Sequence, residues 1–111
     1  MYTQVNTIPS STQIHIAAEM LQLISEPTRL TILWVLLHGE HSVGQLAEEV
    51  GSQPAAVSQH LAKLRLAKLV KVRREGNKMF YVTDNIHVKK VIEQVLSHTE
   101  HVTDGHMSDD E

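Results

Sequence analysis

Two short helical segments divided by a glycine turn limit the folds that this chain can adopt. They occupy residues 41–70, "HSVGQLAEEVGSQPAAVSQHLAKLRLAKLV". The apolar spacing predicts a short helix over about residues 43–50 that stops at Gly51. A second helix is predicted to begin at about Ser52, because serine suits the N-cap and Pro54 is tolerated in the first turn. Two short helices joined in this way form the outline of a helix-turn-helix.

The second of these helices has two faces of different character. Val57, Leu61 and Leu64 are spaced at i, i+4 and i+7, and we predict that they face the core. The opposite face suits the major groove of DNA, where small side chains permit close approach and glutamine can bond a base edge. The residues expected to contact DNA here are Gln53, Ala55, Ser58, Gln59, Ala62, Lys63 and Arg65.

The sequence after this helix changes from helical spacing to alternation. In "LVKVRREGNKMFYVT" the central "EGN" predicts a β-hairpin that turns at Gly76 and Asn77. Arg73, Arg74 and Lys78 lie near the predicted tip. A basic hairpin directly after a helix-turn-helix is typical of a wing that lies along the phosphate backbone of DNA. Taken alone, the hairpin could equally be an edge strand protected by its charge.

Basic residues are concentrated in this same stretch, although the net charge of the chain is −3. Seven of the ten Lys and Arg residues lie between residues 63 and 78, opposed there only by Glu75. Residues 1–59 instead carry five Glu residues against Arg29 alone, and the tail from Asp104 onward is acidic. A concentrated basic segment in an acidic chain is the electrostatic footprint of a surface that binds phosphate.

Helices are predicted before this centre. Residues 1–10 are polar and without periodicity, and we expect a flexible arm there. From Ser11 the apolar spacing predicts a first helix that ends near "SEPTR". Pro27 fits the first turn of a second helix, which Gly39 closes.

A last helix is predicted after the hairpin. It is expected to begin near Asp84, a suitable N-cap, and to run to about His101, followed by a flexible acidic tail over residues 102–111. The expected fold is therefore mainly α with a small β-hairpin, in the order α-α-α-α-β-β-α. This is a winged helix-turn-helix domain over residues 11–101, and we expect it to dimerise through its first and last helices.

Composition and spacing argue against several other classes of protein. The 111 residues suffice for one domain with one modest core. The absence of cysteine excludes disulfides, thiolate metal sites and cysteine nucleophiles. With no membrane-length apolar run and no signal sequence, we expect a cytoplasmic protein. We do not expect an enzyme, because there is no glycine-rich phosphate loop, and Ser58 and His60 point apart on one helix.

Three histidines lie on one face of the predicted last helix. His87, His98 and His101 are linked by Val91 and Gln94 at steps of four and three, and we call this row the histidine stripe. His98 and His101 can share one ion, but His87 lies about 16 Å away along the helix axis. Since a zinc–nitrogen bond is only ~2 Å long, one helix cannot bring all three to the same metal ion.

Two copies of the helix can do so. If the helices of two subunits pack antiparallel, His87 of one meets His98 and His101 of the other, twice by symmetry. The stripe therefore predicts a homodimer with two metal sites between its subunits. A solvated row of histidines is the alternative interpretation. The residues that could complete the coordination are Asp84, Asn85, Glu100 and His106.

Four segments together resemble the ArsR/SmtB family of winged-helix metal-sensing repressors. They are "SEPTRLTIL", "SVGQLAEEVG", "AAVSQHLAKLRLAKLVKVRREGNKMFYV" and "DNIHVKKVIEQVLSHTEH", and the likeness covers about residues 15–101. The branch that senses metal through its last helix has Asp-x-His followed by His-x-x-His or His-x-x-Glu. The resemblance assigns His87, His98 and His101 to its ligand positions. Its Asp falls on Asn85, a poorer ligand.

The resemblance also implies a ligand and a mechanism. Relatives that sense arsenic or cadmium use cysteines at positions that fall around Ser42 and Gly44 here, so that site is absent. Three histidines and one oxygen suit tetrahedral Zn(II), which we favour. Ni(II) or Co(II), six-coordinate with Glu100 and His106, is the alternative. In this family the metal-free homodimer binds operator double-stranded DNA and metal releases it, which derepresses genes for metal efflux or homeostasis.

Two other functions fit parts of the sequence. One is a winged-helix regulator whose histidines bind no metal, and its DNA binding would ignore metal. The other is a dimer whose basic hairpin binds an acidic protein, and it would lack salt-sensitive DNA binding.

Overall fold

The computed structural model describes the backbone of residues 7–110 and the side chains of residues 7–103. Within this range the elements follow the order α-α-α-α-β-β-α, which confirms the predicted winged helix-turn-helix. The predicted arm lies mostly in residues 1–6, which fall outside the described residues, as does Glu111. The elements are α1 (Ser11–Ser25), α2 (Pro27–Leu37), α3 (Val43–Val50), α4 (Pro54–Leu66), β1 (Lys71–Glu75), β2 (Lys78–Val82) and α5 (Ile86–Asp110).

Capping side chains fix the start of the first three helices. Ser10 accepts a backbone N–H of α1, and the carboxylate of Glu26 accepts the backbone N–H of Arg29 at 2.8 Å. Ser42 and Gln45 form a reciprocal capping box at the start of α3. Each cap satisfies an N–H group that the helix itself cannot bond, which contributes about 1 kcal/mol.

The turn between α3 and α4 lies where it was predicted, but the residue that forms the N-cap of α4 differs from the prediction. Gly51 ends α3 with φ 69°, in the left-handed region that glycine adopts without strain, as its position predicted. The N-cap of α4 is however Gln53, whose side chain makes no capping hydrogen bond, and not Ser52. Pro54 is the reason, since its fixed φ makes it the first helical residue and leaves the residue before it extended.

The start of α5 also differs by one residue. Asn85 caps the helix, because its Oδ1 accepts the backbone N–H of His87 at 2.8 Å and of Val88 at 3.2 Å. Asp84, the predicted N-cap, instead lies 3.3 Å from Nζ of Lys71 on β1. Both residue types cap helices well, and here Asn85 bonds the free N–H groups while Asp84 pairs with Lys71.

The last helix is longer than predicted. It continues past His101 to Asp110, so residues 102–110 are helical and do not form an irregular tail. The hydroxyls of Thr99 and Thr103 donate to carbonyl oxygens of the preceding turn, and no proline interrupts the segment. The predicted flexibility of this segment stays a prediction.

The core lies between α2, α3, α4 and the first turns of α5. Burial of a large aliphatic side chain contributes about 1.5–3 kcal/mol, so these residues dominate the stability of the domain. The three core residues predicted on α4 are among those fully buried. The buried apolar residues are Ile32, Leu33, Leu36, Leu46, Ala47, Val57, Leu61, Leu64, Leu69, Val70, Val88 and Ile92.

The hairpin is attached to the helix-turn-helix through main-chain bonds. Its strands pair in register around Gly76 and Asn77, as predicted, and Gly76 has φ 63°. In the loop between α2 and α3, His41 forms a bridge with Tyr81 of β2. The His41 N–H donates to the Tyr81 carbonyl at 3.0 Å, and the Tyr81 N–H donates back at 2.8 Å. The wing is therefore joined to the body along one strand edge.

Helix α1 contributes little to this core. It contains no buried residue, and only Met20, Leu23 and Ile24 are partly buried against the core. No single helix among the described residues has the length and apolar character to cross a membrane, and α1 with α2 meets that test only as a pair bent by 88°.

Candidate nucleic-acid interface and candidate metal centre

The exposed face of α4 is free of internal partners. Opposite the buried Val57, Leu61 and Leu64, the side chains make no hydrogen bond or ion pair with other described residues. Small and polar groups, followed by the exposed Leu66 near the end of the helix, are thus presented together on a helix that packs against the core. This arrangement fits insertion into a major groove. The exposed residues of this face are Gln53, Ala55, Ser58, Gln59, Ala62, Lys63 and Arg65.

Arg29 ties α4 to the junction of α1 and α2. Its Nε donates to the carbonyl of Leu23 at 2.7 Å, and its Nη1 lies 3.2 Å from Nδ1 of His60 in the middle of α4. The hydrogen bond from the backbone N–H of Arg29 holds the pKa of the Glu26 carboxyl below its ordinary value. Sequence analysis missed this contact, and the available signal was that Arg29 is the sole basic residue in an acidic half.

The three basic residues predicted at the tip of the wing have different surroundings. Arg74 is exposed, and its Nη2 has one weak contact at 4.0 Å with Sδ of Met79. Lys78 is exposed and makes no ion pair within the described chain. Arg73 instead lies between two carboxylates, one from the loop between α2 and α3 and one from its own strand. Only Arg74 and Lys78 are therefore uncommitted.

The histidine stripe is exposed along α5. The side chains of His87, His98 and His101 make no hydrogen bond or ion pair with described residues. In an α-helix His87 lies about 16 Å from His98, as the sequence spacing required. Among the described residues of one protomer, no group of three or more His, Asp or Glu could hold a metal ion. The site between two subunits stays a prediction.

The other predicted ligands are occupied to different degrees. Asn85 uses its Oδ1 as the cap of α5, and Asp84 pairs with Lys71 on the surface, where such a pair contributes about 0–1 kcal/mol. Glu100 is exposed. The side chain of His106 lies outside the described residues. Among the described groups, the carboxylates of Asp84 and Glu100 can turn to a metal without removing the cap of a helix.

Exposed apolar side chains lie next to the stripe on α5 and also on α1. On α5, Val91 and Val95 are 40% and 53% exposed, and on α1 Ile14, Ile16 and Leu21 are each at least half exposed. Apolar faces of this kind on two helices are typical of an interface with another chain. The histidine donors thus lie beside a surface suited to a second subunit.

Known proteins are similar to this chain in both sequence and fold. Residues 26–72 match the profile described as "Bacterial regulatory protein, arsR family". The chain is 41% identical over 93 residues to the HTH-type transcriptional regulator KmtR of Mycobacterium tuberculosis, covering 84% of this chain and 72% of the relative. It is 40% identical over 77 residues to the transcriptional activator HlyU of Vibrio cholerae, covering 69% of this chain and 71% of the relative.

A solved structure extends the likeness to the whole fold. The crystal structure of the AntR antimony-specific transcriptional repressor superposes with a TM-score of 0.80 at 26% identity, covering 88% of this chain and 89% of that one. These relatives are transcriptional regulators, and the fold, the free face of α4 and the basic wing are those of a DNA-binding protein. The chain belongs to the ArsR family of bacterial transcriptional regulators.

Proposed function

We propose that this chain is a metal-responsive repressor that acts in the cytoplasm. Its homodimer binds operator DNA without metal and releases it when a divalent ion binds between the subunits. The observation that carries the proposal is the histidine stripe, three exposed imidazoles without internal partners beside exposed apolar side chains. Unpartnered imidazole groups at a dimer interface are suited to bind a metal ion shared by both chains.

The proposed ligands come from both subunits. His87 of one subunit combines with His98 and His101 of the other, and Asp84 or Glu100 supplies an oxygen. Asn85 is the weakest candidate because its Oδ1 holds the start of α5. Zn(II) suits three nitrogens and one oxygen. Ni(II) or Co(II), with His106 as an added ligand, is the alternative.

Coupling to DNA follows from the geometry of a dimer. Two recognition helices must lie about 34 Å apart to enter successive major grooves. Ligands drawn from both subunits make metal binding favour one dimer arrangement, and if that arrangement misplaces the helices, metal and DNA weaken each other's binding equally. The residues proposed to contact DNA are Gln53, Ala55, Ser58, Gln59, Lys63, Arg65, Arg74 and Lys78.

A metal-independent regulator is the second candidate. The relative HlyU is named as a transcriptional activator without reference to a metal, whereas AntR is named for antimony. Asn85, where the metal-sensing pattern has a carboxylate, also favours this candidate.

The test is DNA binding by chelator-treated protein, using duplex DNA from upstream of its own gene and titrations with Zn(II), Ni(II) and Co(II). We expect one metal to weaken binding at least about tenfold, which is ~1.4 kcal/mol. His98→Ala should abolish the response, while His15→Ala, an exposed histidine of α1 paired with Glu19, should keep it. DNA binding that ignores every metal would establish the second candidate instead.

A further inference from the structure

Arg73 is the most tightly held side chain of the wing. Its Nε and Nη2 donate to the two carboxylate oxygens of Glu40 at 2.9 and 2.8 Å, and its Nη1 donates to Glu75 at 2.9 Å. The guanidinium also lies 5.0 Å from the centre of the Phe80 ring. A bidentate arginine–carboxylate pair of this kind fixes the relative orientation of the two side chains and also contributes to stability.

The charges around Arg73 do not favour a phosphate group. Two carboxylates surround one guanidinium, so the net charge of these three groups is negative. Hydrogen bonds from Arg73 lower the pKa of the Glu40 carboxyl, and Glu40 with Glu75 raises the pKa of the guanidinium well above its ordinary value. A phosphate could engage Arg73 only by displacing a carboxylate that is already bound.

Glu40 comes from the body of the domain and not from the wing. It lies in the loop between α2 and α3, directly before His41, which forms the main-chain bridge with Tyr81 of β2. The wing is thus held to the helix-turn-helix on both strands, by main-chain bonds and the packed Tyr81 on β2 and by the side chain of Arg73 on β1. The contact on β1 adds a constraint on the angle of the wing to those on β2.

We propose that Glu40 and Arg73 are positioning residues, which set the angle of the wing against the recognition helix. The wing then contacts phosphate through Arg74 and Lys78, whose side chains are exposed and uncommitted. This inference rests on the proposed DNA contacts and assigns Arg73 a role other than the phosphate contact that its position in the sequence predicted.

The test compares Glu40→Gln with Glu48→Gln in binding to the upstream duplex across salt concentrations. Both variants remove one negative charge, but Glu48 on α3 makes no ion pair with described residues. We expect Glu40→Gln to weaken binding roughly fivefold despite its more positive charge, with the salt dependence of the wild type. Glu48→Gln should bind as well as the wild type or slightly better.

Two further variants separate positioning from contact. Arg73→Ala should weaken binding without changing the salt slope, and adding Glu40→Gln to it should cost nothing more. Arg74→Ala should lower the slope by about one per wing, as expected for a lost phosphate contact. Tighter or unchanged binding by Glu40→Gln, or a reduced slope for Arg73→Ala, would overturn the proposal.

A readout without DNA keeps this test distinct from the proposed function. Amide hydrogen exchange in β1 and β2 should become faster in Glu40→Gln and Arg73→Ala and stay unchanged in Arg74→Ala. Equal exchange in all three variants would contradict the positioning role. If the three variants show the expected differences in exchange but the wild-type protein does not bind DNA, only the proposed function is contradicted.

Discussion

The region from α2 to β2, which we call the inner region, and the outer helices α1 and α5 differ in where their side chains find partners. Most residues of the apolar core belong to the inner region, with Val88 and Ile92 of α5 packed against them, and Arg29 and Arg73 bond to groups of the same chain. On the outer helices Ile16 and Val95 are exposed, and the histidine stripe has no partner among the described residues. The core side chains thus find their partners within one protomer, whereas the exposed faces of the outer helices are suited to meet another molecule.

The largest effect is expected from Leu61→Ala in the inner region. Leu61 is 0% exposed, so the substitution leaves a cavity and should lower the free energy of unfolding by about 2–5 kcal/mol. Urea unfolding followed by circular dichroism measures the change. Leu66→Ala on the same helix, at a residue 87% exposed, should cost under about 0.5 kcal/mol. Similar losses in both variants would contradict the assignment of the core.

Val95→Glu should disrupt the dimer contact proposed for the outer helices and leave the fold of the inner region intact. A buried, unpaired carboxylate in a dimer interface is costly. We therefore expect the dissociation constant of the dimer to rise at least about tenfold, or ~1.4 kcal/mol. Sedimentation velocity measures the dimer, and circular dichroism checks that the fold is kept. Ala62→Glu, on the exposed face of α4, should leave the dimer unchanged. A dimer insensitive to Val95→Glu would place the interface elsewhere.

Asn85 lies where the two regions meet, and two substitutions test its role as the cap of α5. Asn85→Ala should lower stability by about 1 kcal/mol, because α5 loses its cap. Asn85→Asp keeps the cap and places a negative charge at a helix N-terminus, so metal-free stability should be unchanged or higher. Urea midpoints measured in the presence of chelator would contradict this account if Asn85→Ala matched the wild type.

The smallest effect concerns pH and the link between Glu40 and Arg73. The pKa of Glu40 is lowered from its ordinary value of 4.5 by hydrogen bonds from Arg73. A lowered folded-state pKa stabilises the protein fully above that ordinary value, and the stabilisation is lost as pH falls through the folded-state pKa. Wild type and Glu40→Gln should therefore differ in urea midpoint near neutral pH and converge in acid. A difference that persists unchanged in acid would show that the pair is not its cause.

Local signals predicted the inner region well. Gly51, the "EGN" turn and the apolar spacing of α4 each act over a few residues, and the structure confirms the elements that they predict. The predicted N-caps of α4 and α5 were each wrong by one residue. At α5 two good capping residues are adjacent, and the sequence does not show that Asn85 caps the helix while Asp84 pairs with the distant Lys71.

Contacts between distant parts of the chain had no local signal. Glu40 and Arg73 are 33 residues apart, and Arg29 and His60 are 31 apart. Nothing in the spacing of either pair indicates that they meet, so Arg73 resembled a free basic residue of the wing. The histidine stripe was visible in the sequence because helical spacing is regular, but the metal site proposed for it needs a second subunit, which no local pattern reveals.

The central claim is that each metal site is shared by two subunits, and a mixed dimer tests it most directly. One subunit carries His87→Ala and the other carries both His98→Ala and His101→Ala. A shared site needs His87 from one chain and the other two histidines from its partner, so the mixed dimer keeps one intact site and each parent homodimer keeps none. We predict one tightly bound Zn(II) per mixed dimer by isothermal titration, and none in either parent. A mixed dimer that binds no more metal than its parents would contradict the account.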